Sequence, residues 1–299
     1  MKEAEPIRRW QVGAVSVTKV SEGVLESGLD APSPDEGFLG DATCDALLAI
    51  DWLRPDFVTE KGHVRLAFHA LVVQTSSHRI VVDTCVGNDK IRPQQHFWDR
   101  LAGPFLSSFS AAGFRREEID TVVCTHLHVD HVGWNTMKID GRWVPTFPNA
   151  RYLLGRTEYE SCSASARDAA DSLHPAVFLE DSIQPIFDAG LVDLVDASHR
   201  ICDEVRLIPT HGHTPGHVSV LIESQGKRAI ITGDTIHHPC QLEHPAWAVR
   251  ADADKTAAIA TRKNLLDANA GTGTLFIGTH WAGRSSGRVT RAGESFRLE

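Results

Sequence analysis

The sequence predicts an α/β protein built from two packed β-sheets with helices on their outer faces. Strand-like stretches fall into two groups, and helical spacings are interspersed with them. Several apolar strands also lead within a few residues into His or Asp, a pattern of α/β proteins that carry a site on strand tips. No period of 20–50 residues repeats. No linker splits the chain, so residues 1–299 are read as one domain.

Residues 11–20 alternate in polarity and read as an opening strand. Residues 21–62 carry Gly, Pro and Asp with patchy apolar content, including Phe38, Trp52 and Phe57. Such a long irregular segment in a compact domain usually has a function, and it is expected to wall a substrate site. Strands follow at 64–75 and 79–83, joined across Ser76-Ser77-His78. The spacing of Phe97, Leu101, Phe105, Leu106 and Phe109 predicts a helix over 97–112 that ends at Gly113. A helical turn at Arg116–Asp120 leads into strand 121–125, and Asp140-Gly141 marks a turn. Arg151–Leu154 reads as a strand, with helices at 156–161 and 176–188. Strands then recur at 191–195, 201–208, 218–223 and 228–232, the last two joined by Gln225-Gly226. Ala253–Ala270 is the clearest long helix, Leu275–Gly278 is a strand, and 288–298 closes a sheet edge.

Of the 299 residues, 42% are hydrophobic and 23% charged, enough apolar content for a large core. The net charge is -9 and no run of Lys or Arg exceeds two, which argues against nucleic acid or anionic membrane as partner. No run approaches the roughly 18 apolar residues of a membrane helix, and the first residues do not read as a signal peptide. The six cysteines are dispersed without a CxxC pair, as in a reduced, cytoplasmic protein.

The densest chemistry lies in Thr125-His126-Leu127-His128-Val129-Asp130-His131, directly after the apolar run Val122-Val123-Cys124. Three imidazoles and a carboxylate in six residues suit zinc or a similar divalent ion. His126 and His128 can close on one metal, while Asp130 and His131 point differently and serve a second. Three more ligands follow the same grammar. His213 lies in the bent loop Thr210–His217, Asp234 follows Ala229-Ile230-Ile231, and His280 follows Leu275–Thr279. His126, His128 and His213 then form one set, Asp130, His131 and His280 a second, and Asp234 can bridge them with one oxygen to each metal. No Cys joins the set, so it reads as a catalytic site with an open position rather than a closed structural one. Two divalent ions against two carboxylates and a hydroxide leave a charge of about +1, suited to a transition state that gains negative charge.

These residues resemble the metallo-β-lactamase superfamily, whose pattern is HxHxDH followed by a distant His, a distant Asp and a last His. The resemblance covers nearly the whole chain and implies the four-layer αββα sandwich. It also implies that Asp83 orients the metal loop from behind; His217 is read as holding the site in the same way, and His211 as structural. Asp234 favours the lactonase, glyoxalase and phosphotriesterase-like branches, with a likeness to methyl parathion hydrolase and N-acyl homoserine lactonases. The implied protein is a dinuclear zinc hydrolase in which a bridging hydroxide attacks the carbonyl of a small ester or lactone. A phosphotriesterase, a mononuclear iron dioxygenase and a non-catalytic metal-binding protein remain alternatives. The partner is a small-molecule substrate, and a homodimer is one possible assembly. Asp130 is the expected proton shuttle. His237 stands where the lactonases commonly have Tyr, and is a candidate donor to the oxyanion. Trp52, Trp134, Trp247 and Trp281 are expected to wall an apolar pocket.

Overall fold

A computed structural model describes residues 4–27, 38–40, 42–93, 95–168 and 178–299. The first sheet has seven strands in the order β1 (Arg8–Val12), β2 (Val15–Ser27), β3 (Val64–Gln74), β4 (Arg79–Val82), β5 (Thr121–Cys124), β8 (Arg151–Gly155) and β9 (Val192–Val195). It is antiparallel from β1 to β4 and parallel from β4 to β9. A hairpin of β6 (Thr136–Ile139) and β7 (Arg142–Pro145) turns at Asp140-Gly141. The second sheet runs β10 (Val205–Pro209), β11 (Val218–Ser224), β12 (Lys227–Ile231), β13 (Leu275–Ile277), β14 (Ser286–Ala292) and β15 (Ser295–Leu298). Only its β12–β13 pair is parallel.

The layering follows from side-chain alternation along strands that are apolar on both faces. Val82 and Val123 point into a core shared with Leu207, Val220, Ile231 and Ile277 of the second sheet. Their neighbours Val81 and Val122 point the other way, onto Phe105 and Phe109 of helix Phe105–Ala111 and onto Ile183 and Ile186. On the far face of the second sheet, Leu221, Ile230 and Phe276 pack against Leu265 and Leu266 of helix Lys255–Asn269. Asp254 caps that helix by accepting from the Ala257 amide at 2.9 Å. The result is the predicted helix–sheet–sheet–helix stack.

Some boundaries differ from the sequence reading. Strand β2 continues to Ser27, across a register shift between Ser21 and Gly23. The expected helix 97–112 begins only at Phe105, after Pro104, because Pro is tolerated at a helix start but not inside. The stretch before it is held by turns, with the Asn88 side chain bonded to both backbone groups of Gly103. The helix expected to end at 161 runs to Asp168, and strand 201–208 starts at Val205. The expected edge strand 288–298 is a hairpin, turned at Gly293 with φ +64°. No helix among the described residues is long and apolar enough to cross a membrane.

Candidate metal centre

The tips of β4, β5, β12 and β13 and the β10–β11 loop converge, and all seven sequence-predicted ligands come together there. His126 Nε2 and His213 Nε2 lie 3.0 and 2.9 Å from His128 Nδ1. His131 Nε2 and His280 Nε2 are 3.1 Å apart, and Asp130 Oδ2 is 3.5 Å from His280 Nε2. The ligating atoms form two groups, His126, His128, His213 and Asp234, and Asp130, His131 and His280. Such nitrogens around a tetrahedral zinc with bonds of about 2.0–2.1 Å would be about 3.3 Å apart, so the donor set fits an ion with little adjustment. Asp234 differs in one detail from the sequence reading. Its Oδ2 alone faces both groups, at 3.7 Å from His126, 3.5 Å from His213 and 3.3 Å from both His131 and His280. Its Oδ1 accepts from the Thr279 hydroxyl at 3.1 Å.

Each of these imidazoles is held from behind through its other nitrogen, except His128, which uses Nδ1 toward the site. His131 Nδ1 faces Asp83 at 2.9 Å, His213 Nδ1 faces Asp252 at 2.9 Å, and His280 Nδ1 faces the Ala67 carbonyl at 3.1 Å. His126 Nδ1 contacts the Thr125 hydroxyl at 3.1 Å. A carboxylate or carbonyl there fixes the tautomer with the metal-facing nitrogen free of its proton. Burial pushes the His126, His128 and His213 imidazoles below their usual range, which keeps them neutral as metal binding requires. Burial acts on His131 and His280 in the same sense. It is outweighed by Asp234, with Asp83 and Asp130 adding at His131 and Asp130 at His280, so both are held above the ordinary value.

Three buried residues that the motif does not contain shape the loops. Glu158, from the first turn of helix Arg156–Asp168, accepts from the Leu127 amide and the Gly216 amide at 2.9 Å each, clamping both His-bearing loops. His217 Nε2 accepts from the Asp234 amide at 2.8 Å, so it holds the site from behind as expected. Glu22 accepts from the amides of Val86 and Gly87 and from the Trp134 indole. Gly233 is required beside His217: its φ is +53°, and a Cβ there would lie 2.6 Å from His217 Nε2. His211 is exposed, and its carbonyl accepts from Thr261 of helix Lys255–Asn269. Glu22 and Glu158 lacked any sequence signal, since their partners lie far along the chain.

A cavity of about 420 Å³ opens on the cluster, lined at its metal end by His128, Asp130, His213, Asp234, His237 and His280. Its apolar wall is Leu25, Phe38, Leu66, Phe68, Phe97, Trp98, Val129 and Phe178. The four tryptophans expected there are elsewhere. Trp281 is fully buried and donates to the Ile236 carbonyl, and Trp134 stacks on Phe105 in the core. Trp247 stacks on His244, and Trp52 packs half-buried against the core. The early segment reaches the wall through Leu25 and Phe38, whereas Phe57 is buried; residues 28–37 and 41 lie outside the described residues. His237 Nε2 is 3.1 Å from Asp234 Oδ2, and its buried Nδ1 has no partner among the described residues.

Fold and site together define a metallo-beta-lactamase-type protein. The sequence pattern of the metallo-beta-lactamase superfamily matches residues 67–280, and the chain belongs to that superfamily. An N-acyl homoserine lactonase of Bacillus cereus is 28% identical over 179 residues, covering 56% of this chain and 63% of the relative. One from Bacillus thuringiensis is 25% identical over 142 residues, 48% of this chain and 46% of the relative. The chain spans about half the length of the curated relatives it matches. Among solved structures, AidC, a dizinc quorum-quenching lactonase in complex with a product, superimposes with a TM-score of 0.77 at 22% identity, covering 100% of this chain and 98% of that one. The hydrolase AbOPH gives 0.79 at 25% identity, covering 99% and 98%.

Proposed function

We propose that the protein is a dinuclear metal-dependent hydrolase acting on small esters or lactones that carry an apolar arm. The observation behind this reading is the Asp234 Oδ2 atom, which faces imidazoles of both ligand groups at the floor of an aromatic-walled cavity. A mononuclear centre would leave Asp130, His131 and His280 converging for no purpose. His126, His128 and His213 would hold one ion, Asp130, His131 and His280 the other, with Asp234 between them. Divalent ions bound there, zinc by the N/O donor set and by likeness to the dizinc lactonase, would make water nucleophilic near neutral pH and polarise the substrate carbonyl.

The chain's own residues do the rest. Phe68, Trp98 and Phe178 exclude water from the apolar arm and orient it, leaving the scissile carbonyl over the cluster. Asp130 lines the cavity with its carboxylate partly accessible, so it can carry a proton to the leaving alkoxide. His237 lines the cavity with Nε2 beside Asp234 Oδ2 and can donate to the developing oxyanion. Elemental analysis alongside a panel of lactones, aryl esters and aryl phosphotriesters tests the reading. Two ions per chain and turnover of lactones or esters are expected; one ion per chain, unchanged in Asp234→Ala, would refute it.

A further inference from the structure

Helix Lys255–Asn269 packs on the outer sheet face, yet it sends one charged side chain, Arg262, into the interior, where it has no exposed surface. Burying a guanidinium is expensive unless its donors are used. Its Nε donates to the Thr235 carbonyl at 2.8 Å, and Nη1 donates to the carbonyls of Pro245 and Trp247 at 2.8 and 2.9 Å. Nη2 has no hydrogen-bond partner among the described residues and lies 3.8 Å from Asp252 Oδ2. Asp252 in turn accepts from the Val249 amide at 3.0 Å and faces His213 Nδ1 at 2.9 Å. Thr235 directly follows Asp234. One rigid fork therefore touches the turn that presents Asp234 and the carboxylate that orients His213.

We propose that Arg262 is a positioning residue for the metal centre, acting through Asp252 on His213 and through the Thr235 carbonyl on Asp234. This rests on the ligand assignment above. His213 serves one ion and Asp234 lies between the two groups, so the effect is larger for the ion held by His126, His128 and His213, which depends on both governed ligands. The planar fork is what spans the three carbonyls, and lysine, a single point charge, cannot replace it.

The test is zinc release from fully loaded protein into increasing concentrations of a chromophoric chelator, for wild type, Arg262→Met and Arg262→Lys. The unfolding midpoint of each metal-free protein is recorded alongside. Wild type is expected to release two ions in two steps. Both variants should lose one ion at a chelator concentration about 10–100-fold lower, with a smaller shift for the other, the range for removing a partner behind a ligand. If Arg262→Met does not fold, Arg262→Lys carries the comparison. Wild-type release in every folded variant overturns the proposal. So does an equal weakening of both ions, which marks a general structural effect. A wild type that binds fewer than two ions overturns instead the dinuclear reading on which the proposal rests.

Discussion

Replacing Asp83 by Asn should weaken metal binding without disturbing the backbone. Asp83 sits at φ +56°, a conformation that Asn tolerates as well as Asp does, so the substitution isolates the side-chain oxygens. Oδ1 accepts from the Thr125 amide at 2.8 Å, while Oδ2 accepts from the Thr125 hydroxyl at 2.9 Å and meets His131 Nδ1 at 2.9 Å. An amide can satisfy only one side. With its nitrogen in the Oδ1 position it opposes the Thr125 N–H, a buried clash of donors costing about 1–3 kcal/mol. With its nitrogen in the Oδ2 position it opposes His131 Nδ1–H, unless the imidazole moves its proton to Nε2. That nitrogen faces His280 and the Asp234 carboxylate, so the proton would block the metal-facing lone pair. The amide will settle where the penalty is least, and losing a ligand's supporting partner commonly costs about 10–100-fold in affinity, or about 1.4–2.8 kcal/mol. Chelator competition on Asp83→Asn should show this weakening with circular dichroism unchanged. Wild-type zinc affinity in Asp83→Asn would refute the reasoning, because neither amide orientation satisfies all three contacts.

Other outcomes follow from the same geometry. His237→Ala should lower kcat on the best substrate about 10²–10³-fold with metal content intact; full kcat would make His237 only a wall residue. Trp98→Ala opens the cavity wall where Trp98 meets Phe68 and Phe97 edge-on, so KM should rise about tenfold with kcat unchanged; a fall in kcat alone would count against a binding role. Burial raises the Glu22 carboxyl to about 7 from 4.5. Between those values the folded state holds a proton that the unfolded chain has lost, so this contribution is complete below 4.5 and lost as pH rises through about 7. Urea unfolding of metal-free protein should therefore show wild type losing stability relative to Glu22→Gln across that window; a constant gap would contradict it.

The candidate metal cluster is legible in the sequence because its residues obey local rules: β5, β12 and β13 are apolar and each leads within three residues into His or Asp. The two-sheet stack was legible for a similar reason, since strands such as Val81-Val82 and Val122-Val123 are apolar on both faces. What failed was set by contacts between distant residues. Strand β2 was cut short because Ser21, Glu22 and Gly23 interrupt its pattern, yet Glu22 is turned inward to meet amides more than 60 residues away. Tryptophans near the motifs suggest pocket walls, but Trp134 and Trp281 are core, and the wall draws Phe38, Phe68, Trp98 and Phe178 from four separate segments. Nothing local marks the inward position of Arg262, because its partners at Thr235, Pro245 and Trp247 lie 15 to 27 residues away.

The division of ligands between the two sheets has a consequence for how the chain reaches its final state. Residues up to β9 supply His126, His128, Asp130 and His131, while His213, Asp234 and His280 come only after it. Under the ligand assignment proposed above, each ion's set would draw on both halves, so a half-folded chain would offer at most two donors to either ion. His131 must wait for His280, 149 residues later. On that assignment, high-affinity capture of metal would be a late event that follows docking of the sheets, and the rate at which refolding protein takes up zinc would be a clock for that docking.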